Sequence, residues 1–281
     1  MKILVTGGAG FVGTNLLIEL SKDKQNKLVS IDNYSIGLKE NHIEGVNYIS
    51  DDVNNIFDYD EKYDIIFHLA ALSRIQPSFD NPELTYRYNT TGTLKVLEYA
   101  RKNKSKVIYS GSSSKHHNPK RSPYAMTKFL GEELCKLYKQ SYDLEVQIVR
   151  FYNVYGPYEI MEGDWAAVIG KWRYQLNKIQ PLTIVGDGEQ RRDFTHIKDI
   201  VDGLILICKS TNKIYEWELG SGKNYSINQI FRLFNNKFNC ESVNVEDQKG
   251  NYRETLRLND DALTELGWNP KGSLEEYISS L

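Results

Sequence analysis

Apolar and polar positions repeat in one order along the first half of the chain: a short apolar run, a polar or glycine-rich break, then apolar residues three and four apart. Ile3-Leu4-Val5 predicts a buried strand, Thr14 to Leu20 a helix, and Leu28 to Ile31 a second strand that ends at Asp32. Further apolar runs at Val46–Ile49, Tyr63–Ala71, Ser105–Tyr109 and Leu144–Arg150 continue the strands. Between them, helices are predicted from Asn81-Pro82 to about Lys102 and from Ser122-Pro123 to about Ser141, the second with serine at its N-cap and proline at its first position. Gly92 lies inside the first of these, which implies close packing there. Strands alternating with helices imply an α/β fold, a doubly wound parallel sheet covered on both faces. After Gly156-Pro157 the alternation fades. Helices are expected over 164–177, 197–209, 227–234, 260–266 and 273–280, with short strands at 182–185, 215–219 and near Val243. The expected organisation is residues 1–155 as one domain and 156–281 as a smaller, interleaved lobe across a cleft.

The break after the first strand carries the first chemical signal. Thr6-Gly7-Gly8-Ala9-Gly10-Phe11-Val12-Gly13 leads from strand to helix. Gly7 suits a tight turn, Gly10 admits a pyrophosphate to the backbone, and Gly13 allows close helix–sheet contact. The helix start at Phe11 and Val12 offers free N–H groups and a positive dipole end to the phosphates. Asp32, 19 residues beyond Gly13 and followed by Asn33, stands where a carboxylate accepts from the adenosine ribose. An acid there disfavours a 2′-phosphate, so NAD is expected over NADP. The fold is accordingly of Rossmann type. At the end of the third strand, Asp52 and Val53 are candidates for the adenine. Leu69-Ala70-Ala71 puts small side chains where a ligand would enter the crevice. His68, inside an apolar run, reads as a core histidine.

Composition narrows the remaining classes. The 281 residues have a net charge of −2 and no long basic block, so nucleic acid is not expected as a partner. No apolar run approaches the ~20 residues of a membrane span, and the chain enters a strand at once, so neither membrane nor export is expected and the location is taken as cytoplasmic. Cys135, Cys208 and Cys240 are few and dispersed, as in a reducing compartment, and no metal site is expected.

Ser112 closes the fifth strand, and Tyr124 and Lys128 stand at i and i+4 on the helix after it. A free tyrosine, with a pKa near ~10, is a poor base at neutral pH. A nearby ammonium favours the phenolate. Lys128 can also bond the nicotinamide ribose, and Ser112 can hold the substrate oxygen that exchanges a proton.

With these residues in place, the chain resembles the extended short-chain dehydrogenase/reductases, specifically the NAD-dependent nucleotide-sugar epimerase/dehydratase family of the UDP-glucose 4-epimerase type. The resemblance covers nearly the whole chain and includes Asn89 among the cofactor-side residues. It implies that Asn153, in Arg150-Phe-Tyr-Asn-Val-Tyr-Gly-Pro157, and Arg192, in Gly186-Asp-Gly-Glu-Gln-Arg-Arg-Asp-Phe194, bind a diphosphate, and that Trp268 is a packing residue. Arginine suits that role, with planar and permanently charged donors. It also implies a homodimer through helices 82–102 and 123–141, and a UDP-sugar as the partner molecule.

The departures from the family pattern bear on the reaction. Only 12 positions separate Ser112 from Tyr124, and Ser113-Ser114-Lys115-His116-His117 replaces the usual Val-Tyr-Gly segment. The shortened loop leaves a more open pocket, or one in which His116 or His117 contacts substrate. Gln248-Lys249-Gly250-Asn251 falls where the family has Arg-Pro-Gly-Asp, with Lys249 or Arg253 as stand-ins for the lost arginine. The Asp-Glu pair of 4,6-dehydratases is absent, Ser113 and Ser114 occupying those positions. The decarboxylase branch's glutamate there is missing too, and the cysteine of the 3,5-epimerase and reductase branch has no counterpart nearer than Cys135. A C4 epimerase leads by elimination. The alternatives are a dehydratase or reductase of the same superfamily, and a homologue that holds NAD without turnover.

Overall fold

The apolar runs of the first half become neighbouring strands of one sheet. The computed structural model describes residues 1–281. In chain order the first half contains β1 (Lys2–Thr6), α1 (Phe11–Leu20), β2 (Lys27–Asp32), β3 (Val46–Ser50), β4 (Ile65–His68), α2 (Ile75–Asp80), α3 (Pro82–Tyr86), α4 (Gly92–Asn103), β5 (Lys106–Ser112), α5 (Pro123–Tyr142) and β6 (Val146–Phe151). There follow β7 (Val154–Tyr155), α6 (Val168–Asn177), β8 (Leu182–Val185), β9 (Arg191–Asp193), β10 (Thr195–His196), α7 (Ile197–Lys209), β11 (Glu216–Leu219), β12 (Asn224–Ser226), α8 (Ile227–Phe238), β13 (Ser242–Val245), α9 (Asp261–Leu266) and α10 (Leu274–Ser280).

The central sheet has the order β11-β6-β5-β4-β1-β2-β3, with every pair parallel. Side chains alternate across it, as the two-residue period of a strand requires. From β1, Leu4 enters the core shared with Val96 and Leu97 of α4, while Ile3 and Val5 enter the one shared with Leu16 and Leu17 of α1. Each such side chain, fully buried, is worth about 1.5–3 kcal/mol over exposure. A third core, around Trp172, Ile184, Phe194, Ile230 and Phe234, holds the second lobe together.

The chain crosses the expected division at residue 155. Helix α7 and strand β11 return to the first domain, because Ile200, Leu204, Trp217 and Leu219 bury their apolar surface there. Trp268 packs into the same core, and its indole N–H donates to the Asp199 carbonyl at 2.8 Å.

The helix expected over 82–102 runs unbroken, but its winding changes part-way. A π-helical turn at Arg87–Thr91 separates α3 from α4. Insertions of this kind often sit beside functional sites, and here the turn carries Asn89. Gly92 packs as expected, since a Cβ there would lie 2.9 Å from Val53 Cγ1. No helix is long and apolar enough to cross a membrane.

Candidate active site

A cleft of about 580 Å³ opens where the C-terminal ends of β1, β4 and β5 face the second lobe. This is where a doubly wound sheet takes its ligands. The expected residues that line it are Gly7, Gly10, Phe11, Val12, Gly13, Asp32, Asn33, Val53, Leu69, Ala70, Ala71, Ser112, Tyr124, Lys128, Asn153 and Arg192. Asp52, Asn89, His116, His117 and Arg253 do not line it.

The glycine turn is shaped for a phosphate. Gly7 has φ +73° and lies so close to β4's end that a Cβ would sit 2.9 Å from Ala70 Cα. At Gly13 a Cβ would sit 2.6 Å from Gly8 Cα, so only glycine lets α1 start this close to the turn. No side chain caps α1, and the N–H groups of Phe11, Val12 and Gly13 meet no acceptor. These are the free donors that a pyrophosphate needs. The two Asp32 oxygens accept N–H groups of Ala9 and Tyr34, each at 2.9 Å. Burial pushes this carboxyl up while those bonds pull it down. Each oxygen keeps a lone pair for a ribose hydroxyl. The residues present therefore fit a dinucleotide.

Asp52 is spent locally. Its Oδ1 accepts the N–H of Asn54 at 2.9 Å, capping a short 3₁₀ turn, and Oδ2 faces Arg87 at 3.3 Å. Asp51 lines the cleft in its stead, beside Val53. Asn89 also acts one step back from the cleft. Its Oδ1 accepts the Leu72 N–H at 2.7 Å and its Nδ2 donates to the Leu72 carbonyl at 2.9 Å. His68 completes this support: Thr6 donates to Nδ1 and Nε2 donates to Thr93, which in turn donates to the Asn89 carbonyl. Burial holds the ring down to about 3, hence neutral. The histidine is a strut for the loop at residues 69–72.

At the reactive end, the Tyr124 hydroxyl donates to Ser112 Oγ at 3.1 Å. Ser122 accepts the Ala125 N–H at 3.1 Å, which fixes the start of α5 and hence Tyr124 in its first turn. Lys128 is buried and donates through Nζ to the Ser110 carbonyl at 2.8 Å. Burial pulls it down to about 8. Burial raises the Tyr124 phenol, while the Ser112 bond and then the Arg74 charge lower it.

Beyond Ser114, the short loop is anchored away from the cleft. His116 pairs through Nε2 with the buried carboxylate of Glu218, whose other oxygen accepts from the Tyr152 hydroxyl at 2.5 Å and the Leu258 N–H at 3.0 Å. His117 stacks on Tyr252, with ring centroids 4.0 Å apart. Of the two alternatives for this loop, a substrate-contacting histidine is not what is found: neither histidine lines the cleft, and Tyr252 does. Arg253 is exposed and bonded to both Asp187 oxygens, at 2.9 and 3.0 Å, so it does not replace the lost arginine. Arg192 does face the cleft without a carboxylate partner, and burial pulls it down to about 10.

Sequence reasoning missed Arg74, Glu159, Tyr252 and Thr255. Glu159 Oε2, Tyr252 Oη, Thr255 Oγ1 and Ser114 Oγ are buried polar atoms without partners, and all four residues line the cleft. No local motif announces them.

A parallel sheet with a glycine cradle, an acid after its second strand and a Ser–Tyr–Lys set defines a short-chain dehydrogenase/reductase. Residues 3–220 match the NAD dependent epimerase/dehydratase family, and the chain belongs to it. Its cofactor is NAD. A UDP-glucuronate 4-epimerase from Thermodesulfobacterium geofontis is 34% identical over 312 residues, spanning 98% of this chain and 93% of its own. A UDP-glucose 4-epimerase from Thermotoga maritima, solved with UDP-glucose, superposes with a TM-score of 0.91 at 28% identity, over 99% of this chain and 96% of its own. The UDP-glucuronic acid 4-epimerase of Bacillus cereus, solved with UDP-glucuronic acid and NAD, gives 0.89 at 27% identity over the same shares.

Proposed function

We propose that this enzyme inverts C4 of a UDP-sugar through a transient 4-keto intermediate. The observation that carries this reading is the Tyr124–Ser112 hydrogen bond in the cleft that holds the glycine cradle. The 4-epimerases among its relatives support it.

NAD, when bound, is the reversible hydride acceptor for C4. Tyr124, as phenolate, takes the proton of the 4-hydroxyl, and Ser112 holds that oxygen. Lys128 and Arg74 keep positive charge around the phenol. Arg192 and Asn153 hold the diphosphate, while the sugar end meets Tyr252, Ser114 and Thr255. A firmly held nucleotide and a loosely held sugar let the keto form present its other face. Tyr124 then returns the proton.

A dehydratase needs a further acid–base pair beside Ser112. Those positions are Ser113 and Ser114, and Cys135 is buried inside α5 with its thiol pushed up by burial. We also infer a homodimer through α4 and α5, whose Leu94, Leu137 and Tyr142 are exposed apolar residues.

Incubation with UDP-glucose or UDP-glucuronate plus NAD, followed by chromatography, tests the reaction. A 4-epimer that forms with the wild type and not with Tyr124→Phe is the expected result. NAD binding without turnover of any nucleotide sugar would indicate a non-catalytic homologue.

A further inference from the structure

Two arginines line the cleft, Arg74 and Arg192, and neither pairs with a carboxylate. Arg173 nearby shows the contrast, since it faces Glu159 at 3.0 Å. Arg192 is accounted for by the diphosphate. The charge of Arg74 also favours the Tyr124 phenolate, but nothing in the reaction described supplies an acceptor for its Nη groups.

Its backbone and side chain are held from two sides. Arg74 is the N-cap residue of α2, and its Nε donates to the Trp165 carbonyl at 2.8 Å. Ser78 of α2 donates to the Ile75 carbonyl at 2.6 Å and accepts the Tyr124 N–H at 3.1 Å. Helix α2 is thus tied to the first turn of α5, and Arg74 stands in the same wall as Tyr124. A guanidinium has five N–H donors. Nε is engaged, Nη1 reaches only the Ser73 carbonyl at 3.4 Å, and Nη2 has no partner.

The local charges do not cancel. Glu159, a carboxyl that lines the same cleft, is already matched by Arg173 at 3.0 Å. Arg74 is half-buried in the cleft wall, with its Nη2 free to meet a ligand that supplies the counter-charge. The dinucleotide phosphates belong at α1 and the sugar nucleotide's diphosphate at Arg192. The acceptor left for Arg74 is on the sugar.

We propose that Arg74 receives a carboxylate on the substrate's sugar, so that the enzyme acts on nucleotide-activated hexuronic acids in preference to neutral hexoses. This rests on the C4-epimerase reading. The planar fork of an arginine matches a carboxylate with two parallel bonds.

The test measures kcat/KM with UDP-glucuronate and with UDP-glucose, in the wild type, Arg74→Ala and Arg74→Lys, together with calorimetric binding in a Tyr124→Phe background. The expected result is a wild-type preference for the uronate. Arg74→Ala should lower kcat/KM and affinity for UDP-glucuronate by about 10- to 100-fold while leaving the affinity for UDP alone unchanged. Arg74→Lys should recover part of the loss. Wild-type turnover of UDP-glucose at equal or higher efficiency would overturn the assignment and leave the epimerase reading standing. So would an equal loss on both substrates in Arg74→Ala, which would reveal a role confined to Tyr124. Turnover of neither substrate by a folded, NAD-binding protein would remove the epimerase reading and this inference together.

Discussion

Tyr124 donates its phenolic hydrogen to Ser112 across 3.1 Å, although the two residues come from different elements joined by an unusually short loop. The contact is made because Ser112 ends β5 while α5 starts at Pro123 under its own serine cap. If this pair handles the proton, Tyr124→Phe should lower kcat by about 10²–10⁴-fold and leave nucleotide-sugar affinity nearly unchanged. Ser112→Ala should show a smaller loss of the same kind. Steady-state kinetics beside equilibrium binding separates the two parameters.

Lys128 gives a pH signature in stability. Its folded pKa, about 8, lies below the ordinary lysine value, so between roughly pH 8 and 10.4 the unfolded chain binds more protons than the native one. Stability therefore rises with pH across that window, and the cost of the buried ammonium is fully present below it. Lys128→Met should gain most, on the order of 3 kcal/mol before any loss of the Ser110 contact, near pH 7. That advantage should disappear toward pH 10.5. Urea unfolding at several pH values checks the slope.

His116→Ala distinguishes an anchor from a substrate contact. The ring faces Glu218, not the cleft. The variant should lose about 1–3 kcal/mol of stability by leaving a buried carboxylate short of a partner. Its KM should change far less than that of Arg192→Ala. A large KM effect with unchanged stability would contradict the placement.

Arg192 and Arg253 are expected to behave differently despite their shared charge. Arg192→Ala should weaken UDP binding by about 10- to 100-fold. Arg253 belongs to an exposed pair with Asp187, and its replacement by alanine should alter UDP affinity by no more than about twofold. Isothermal titration with UDP gives both values.

The exposed face of α4 and α5 predicts the oligomer. Leu137 and Tyr142, both on α5, are 49% and 53% exposed, and Leu94 of α4 is exposed as well; a dimer interface across the two helices would cover all three. Light scattering should report a dimer for the wild type and a monomer for Leu137→Glu, with the fold intact by circular dichroism.

Much of this protein was legible in the order of its residues. The strands, the glycine turn, the acid at Asp32 and the Tyr124/Lys128 spacing depend on interactions within a few residues, or on a strand–helix alternation with few ways to pack. Those features follow from local sterics and periodicity. What the tertiary structure decided was the partner of each polar side chain. Asp52 became a cap and Asp51 took its place in the cleft. His116 met Glu218, 102 residues away, and Tyr252 came from the far end of the chain to wall the cleft. Arg74 was left facing the cleft without a counter-charge. A side chain's apolar or polar character says whether it must be satisfied. Which group satisfies it depends on what distant segments bring to the same few ångströms.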